Sequence, residues 1–237
     1  MADYVWPDDL QPYAMSFYLQ HHTTVFESPF TRQQQVLGRS ASRWVARLSF
    51  RGGAGGQIRS QHNDGARIEA LLAQIKGPQK TVSLYDFRRP ERGGEYATFD
   101  DYAETIPETF FSDGTDFDDE TGFIVTPTGA PSNGMVSAGS RSVTLTGYWP
   151  GTSPNKIGDY IGVGDGTPHI ITSVEPADSN GRLVVSFERP ARVTYYGAVS
   201  FSKVPGTFRL VSDDASENPT DVDGMASYEL EFIEALT

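Results

Sequence analysis

The sequence predicts a mainly β protein with one α-helix, a framework at its two ends and a small antiparallel β module set into its second half. Three observations carry this. Segments with period-two alternation of apolar and polar residues recur near both ends of the chain. One segment alone has helical periodicity. Strand-like runs from Ile157 to Val193 are punctuated by Gly-Asp and Ser-Asn-Gly turn signals.

Trp6-Pro7 opens an extended lead-in, since the residue before a proline is steered away from the helical region. From Ala14 to Gln20, Met15, Phe17 and Leu19 alternate with Ser16, Tyr18 and Gln20, the pattern of a half-buried strand. Ser42 to Phe50 repeats it, with Trp44, Ala46, Leu48 and Phe50 on the core face and Arg43, Arg47 and Ser49 on the other. Arg51 to Gln57 contains Gly52-Gly-Ala-Gly-Gly56 and breaks the strand as a flexible loop. From Asn63 or Asp64 to Lys76, Ile68, Leu71, Leu72 and Ile75 fall on one helical face. Asn63 or Asp64 is expected as N-cap, with Gly77-Pro78 ending the helix. Burying those four side chains is worth about 6 to 12 kcal/mol before entropy, so the helix should lie on a sheet.

Lys80 to Phe87 returns to strand character. Asp100 to Glu120 is acidic and irregular, and Thr126 to Gly139 is expected to continue the same connection. Ser142 to Tyr148 starts the strands of the module, which runs to about Phe201. Thr207 to Val211 and Ser227 to Ile233 close the chain, and the last strand, with Tyr228, Leu230 and Phe232 facing one way, should pair with the N-terminal sheet. The expected organisation is therefore a discontinuous domain of residues 1–100 and 205–237, an acidic connecting segment at 101–140, and an inserted β domain at 141–204.

At 237 residues the chain has room for two modest domains. It is 38% hydrophobic, with no apolar run near the roughly 18 residues of a membrane span, so a soluble protein is expected. The acidic start MADYVWPDDL carries no signal-peptide pattern. The absence of cysteine excludes disulfides and thiol catalysis and fits folding in a reducing cytoplasm. The net charge of -12 is unevenly placed: residues 1–100 hold 12 Lys and Arg against 10 Asp and Glu, and residues 101–237 hold 7 against 21. An acidic half argues against a phosphate-gripping groove, so neither nonspecific nor sequence-specific nucleic-acid binding is expected.

The search for chemistry is mostly negative. The glycine loop 52–56 lacks the Lys-Ser/Thr of a phosphate loop. Asp113, Asp116, Asp118, Asp119 and Glu120 lack the spacing of a calcium loop and read as a solvated turn. His21, His22, His62 and His169 lack zinc-ligand spacing. Glu104 and Glu108 form a carboxylate pair without an accompanying constellation, and there is no Gly-x-Ser-x-Gly elbow. No catalytic, cofactor-binding or metal-ligating residue is therefore assigned, and no enzyme activity is expected. Trp149, Tyr160, Tyr195 and Tyr196 are candidates for a sugar-stacking platform, against the plainer reading of core or interface aromatics.

The order of several short motifs resembles the distal tail proteins of long non-contractile-tailed phages and prophages. These are Trp6-Pro-x-x-Leu10, Gln33 to Gln35 before Arg43-Trp44, and Ile68-Glu-Ala-Leu-Leu-Ala73 ending at Gly77. Gly158-Asp159, Asp178 to Gly181, Glu188-Arg-Pro190, Phe208 to Asp213 and Tyr228 to Leu236 continue the series to the end of the chain. The resemblance implies a tail-tube-like belt domain with an inserted OB-like or galectin-like barrel. Six copies, about 150 kDa from chains of 26.0 kDa, would form a ring joining tail tube protein to tail hub protein. Such a ring is a virion component assembled in the host cytoplasm, and DNA passes through its lumen. Acidic residues there would keep DNA from adhering, and the Glu229 and Glu231 face is one expectation for the lining. Receptor-binding proteins or host glycan are further implied partners, and a carbohydrate-binding adsorption module is the alternative function.

Overall fold

A computed structural model describes residues 2–51, 64–90, 133–146, 148, 150–153, 155–217 and 227–235. In chain order its strands are β1 (Tyr4–Val5), β2 (Ala14–Glu27), β3 (Gln34–Phe50), β4 (Val82–Leu84), β5 (Asn133–Val136), β6 (Ser142–Thr146), β7 (Tyr160–Gly162), β8 (Pro168–Val174), β9 (Arg182–Phe187), β10 (Tyr195–Ala198), β11 (Gly206–Leu210) and β12 (Tyr228–Glu234). One α-helix, α1 (Ala66–Ile75), lies among the described residues, none of whose helices is long and apolar enough to cross a membrane. The chain is thus mainly β. It divides into two compact units, Met1–Arg88 with Gly206–Thr237, and Arg89–Pro205.

The first unit is built on a six-stranded sheet in the order β1-β4-β11-β12-β3-β2. Strands from both ends of the chain interleave: β12 pairs antiparallel with β3 on one side and with β11 on the other. Its alternation matches that of β3, so that Leu230 faces Leu48 and Phe232 faces Ala46 on the buried side. The core is aromatic. Phe17 stacks on Trp44 at 4.8 Å and meets Phe208 edge-on at 5.7 Å, while Trp6 stacks on Phe50 at 5.5 Å and meets Phe232 edge-on at 6.0 Å. Trp6 is therefore a core residue, and its indole Nε1–H donates to the Leu10 carbonyl at 2.8 Å, which folds the lead-in back on itself.

Helix α1 buries Ile68, Leu72 and Ile75, with Leu71 partly covered. The fully buried Tyr228 ties it to β12 by donating its hydroxyl hydrogen to Glu69 Oε1 at 2.9 Å. The helix start differs from expectation. Gly65 is the N-cap, already in helical conformation at φ -61 and ψ -47, and no side chain caps the helix. Asp64 thus precedes the position from which its carboxylate could reach the orphan N–H groups. Asn63 lies outside the described residues. At the other end Lys76 takes the left-handed conformation and its N–H bonds to the Leu72 carbonyl at 3.1 Å. Gly77 follows with φ 61, a left-handed conformation that favours glycine, and a Cβ there would also displace the Asp213 carboxylate.

The second unit contains a six-stranded sheet in the order β10-β5-β6-β9-β8-β7, antiparallel throughout. It curls: Gly162 at the end of β7 exchanges both backbone hydrogen bonds with Ser200, just beyond β10 at the opposite end of the strand order. Val143, Leu145, Ile161, Ile171, Leu183, Val185 and Phe187 fill its core. The turn between β8 and β9 follows from its sequence. The Asp178 carboxylate accepts the N–H groups of Asn180 and Arg182 at 2.8 and 2.9 Å, and Gly181 adopts φ 69.

Two element assignments need correction. Asn133–Val136, read from sequence as part of the connection, is strand β5, paired with all four residues of β10. Asn133-Gly134 looks like turn chemistry, and only the ladder to β10 overrides it. Strands β2 and β3 also run well past the predicted Gln20 and Ser42 limits, as one hairpin. The rest of the 101–140 segment up to residue 132, and the glycine loop 52–56, lie outside the described residues.

Candidate functional site

Three places in the structure bear on function. The first is the outward face of β3 and β12. Alternation along β12 puts Glu229 and Glu231 opposite the buried Tyr228, Leu230 and Phe232. Arg47 on β3 lies directly across from Glu231 and donates to its Oε1 from Nε at 3.0 Å and Nη2 at 2.9 Å. This hydrogen bond and the carboxylate charge raise the Arg47 pKa further. Both partners are well exposed, so the pair orients side chains more than it stabilises the sheet. Arg47, Ser49, Glu229 and Glu231 rim a shallow groove of about 280 Å³ on this face. Of the two glutamates named from sequence, Glu231 is paired with Arg47, and Glu229 is exposed opposite Ser49.

The second place is the distal part of the β2-β3 hairpin. From residue 43 back to residue 22 the two strands pair, among the described residues, only with each other, because the β12 ladder ends opposite Val45. Val25 pairs with Val36, and Thr24 with Leu37. Val25, Phe26, Val36 and Leu37 are all more than half exposed, and Phe30 at the turn is 94% exposed. His21 and His22 are exposed on the same arm. The signal for this arm was present in Thr23 to Phe26 and Val36-Leu37, β-favouring residues flanking Ser28-Pro29. It lacks clean alternation, since both faces carry apolar residues.

The third place is inside the second unit. The His169 and Asp165 side chains are fully buried, and the His169 Nε2–H donates to Asp165 Oδ2 at 2.9 Å. Asp165 also accepts the backbone N–H groups of Arg192 at 3.2 Å (Oδ2) and Thr167 at 3.3 Å (Oδ1). Among the described residues His169 Nδ1 is buried without a hydrogen-bond partner, and its ring packs 4.7 Å from Phe187. With both side chains buried, the dyad braces the Gly164-Asp165-Gly166 turn, where both glycines have positive φ.

The aromatic candidates do not form one platform. Tyr160 is buried, its hydroxyl accepts from Arg89 Nη2, and the Arg89 guanidinium lies 4.6 Å from its ring centroid. Tyr195 directs its ring toward Gly164 and Gly197 and donates its hydroxyl hydrogen to the Ala198 carbonyl. Tyr196 alone of the three is openly exposed, paired across the ladder with the exposed Met135. Trp149, His62, Glu104, Glu108 and the acidic run 113–120 lie outside the described residues. Among the described residues no three His, Asp or Glu side chains gather as a metal site.

The geometry is that of surfaces suited to association: an ionic sheet face, and an apolar ribbon with open edges. No protein-family model and no curated protein matches the chain.

Proposed function

We propose that this protein is a structural subunit of a phage tail tip, forming a hexameric ring that connects the tail tube to the tail hub and lets DNA pass through its lumen. In this reading the first unit is the tail-tube-like belt, and the second, with its curled sheet, is an OB-like or galectin-like barrel carried by the belt. One observation carries it furthest. The first sheet is begun by residues 4–84 and completed by residues 206–234, with a separate β unit spliced between them, as the resemblance of motif order implies. The exposed ionic face at Glu229 is compatible with a channel lining, where like charge keeps DNA from adhering. The alternative, a glycan-binding module at the tail tip, is weakened because Tyr160 is occupied by Arg89 inside the unit.

Immunogold labelling of purified tailed particles, with antibody raised against this chain, tests the proposal. Label confined to the tail end distal to the head supports it. Label on the head or absent from the particles overturns it.

A further inference from the structure

We infer that the arm formed by residues 22–43 is an insertion element that is buried by a second copy of this chain. The inference deepens the ring reading and rests on it for the number of copies, but its physical basis is the arm itself. Beyond the point where β12 ends, β2 and β3 form a two-stranded ribbon with no third strand on either edge among the described residues. Such a ribbon is marginal in water unless a face is covered. Strand alternation sorts its apolar residues onto both faces, Val25 and Val36 on one, Phe26 and Leu37 on the other. Each of these four is between 52% and 61% exposed, and Phe30 caps the tip at 94%. Monomeric proteins usually blunt a long open edge with charges pointing along it or with proline in the strand. Here the strands from Thr23 to Glu27 and from Gln34 to Gly38 hold one charged residue, Glu27, and Pro29 lies in the turn.

Charge selects the occupant. Residues 20–43 contain Arg32, Arg39 and Arg43 against Glu27, net +2, in a chain of net -12. The basic, apolar arm therefore complements the acidic remainder of its own chain. A second copy offers that acidic surface at every encounter. An anionic membrane would attract the arm but repel the acidic remainder, which makes it the weaker occupant. A contact in which the arm of one copy enters the body of the next is heterologous, and such contacts close into rings when their rotation permits.

The test uses the full chain in sedimentation equilibrium, comparing wild type with F26D/V36D and with R32E/R39E. Phe26, Val36 and Arg32 are exposed, and unchanged far-UV circular dichroism and amide exchange at residues 44–50 will show that the fold persists. Wild type is expected to self-associate, F26D/V36D to weaken association by at least about tenfold, and R32E/R39E to weaken it more at low salt than at high. Wild type that stays monomeric to its solubility limit overturns the inference, as does association unchanged in F26D/V36D. Co-flotation of a monomeric wild type with phosphatidylserine vesicles, lost in F26D/V36D, also overturns it, in favour of a membrane. Failure of the immunogold test with arm-dependent association would remove the tail-tip reading and leave this inference standing. Tail-end label with association indifferent to the arm would do the reverse.

Discussion

Replacing Trp6 tests whether the lead-in is integral to the first unit. The side chain is 1% exposed, stacks on Phe50, meets Phe232 edge-on, and donates to the Leu10 carbonyl. Trp6→Ala removes the ring and leaves a cavity, a change that costs about 3 to 5 kcal/mol in well-packed cores. Trp6→Phe keeps an aromatic ring but removes the Nε1–H donor, and leaving the Leu10 carbonyl without it costs about 1 to 3 kcal/mol. With a urea slope of about 2 kcal/mol/M, the alanine variant should unfold at a midpoint roughly 1.5 to 2.5 M lower. Far-UV circular dichroism gives the midpoint, and amide exchange assigns it, since loss of protection should appear at residues 44–50 and 228–235 and spare residues 143–187. In a double-mutant cycle, Trp6→Ala and Phe232→Ala should show a coupling of about 0.5 to 1.5 kcal/mol for the edge-on pair. A midpoint shift in Trp6→Ala below about 0.5 M, or protection lost only in the second unit, would refute the packing argument.

Two further outcomes follow from buried carboxylates. Glu234 is buried and its Oε2 accepts the Trp44 backbone N–H at 2.9 Å, just where the β3-β12 ladder ends. Glu234→Ala should cost at least about 1 to 3 kcal/mol and speed exchange of the Trp44 amide, with Glu234→Gln closer to wild type because its amide oxygen still accepts. Unchanged Trp44 protection in the alanine variant would contradict this. In the second unit, burial pushes the Asp165 carboxyl up, but hydrogen bonding and charge from His169, with the N–H groups of Arg192 and Thr167, outweigh it and hold the pKa below its ordinary 3.8. A folded pKa lower than the unfolded one means that the contribution is complete above the unfolded value and lost as pH falls through the folded one. Melting temperature of the second unit should therefore fall with acidity below about pH 4, with a shallower slope in Asp165→Asn; equal slopes would show that Asp165 is not responsible.

Local physics made much of the framework readable in advance. The alternation of Trp44, Ala46, Leu48 and Phe50, and of Tyr228, Leu230 and Phe232, marks the same buried face that the sheet uses. The helical face of Ile68, Leu72 and Ile75 was equally plain, as was the Asp178 to Gly181 turn. What escaped depended on partners distant in sequence. The last strand pairs with the N-terminal sheet as expected, but no local pattern states that it enters between β11 and β3, that Asn133-Gly134 finds a ladder on β10, or that Arg89 covers Tyr160. The arm escaped for a different reason: period-two reading detects strands with one wet face, and a ribbon apolar on both faces has no such contrast. For the candidate sites, alternation placed Glu229 and Glu231 outward, as the sheet does, but the pairing of Glu231 with Arg47 needed the register.

The interleaving of the first sheet has a consequence for biosynthesis. β12 supplies the hydrogen-bonding partner of β3 and, through β11, the link to β4, yet it is translated after every described strand of the second unit. At about 5 to 20 residues per second, the stretch between Arg88 and β12 takes roughly 7 to 28 s to translate. For that interval the apolar faces of β3 and α1 wait without their final strand, and by its end every described strand of the second unit has been made. The nascent chain thus passes through a stage in which its later unit is able to fold before its earlier one. Chaperone capture at that stage would fall on residues 14–50, including the arm.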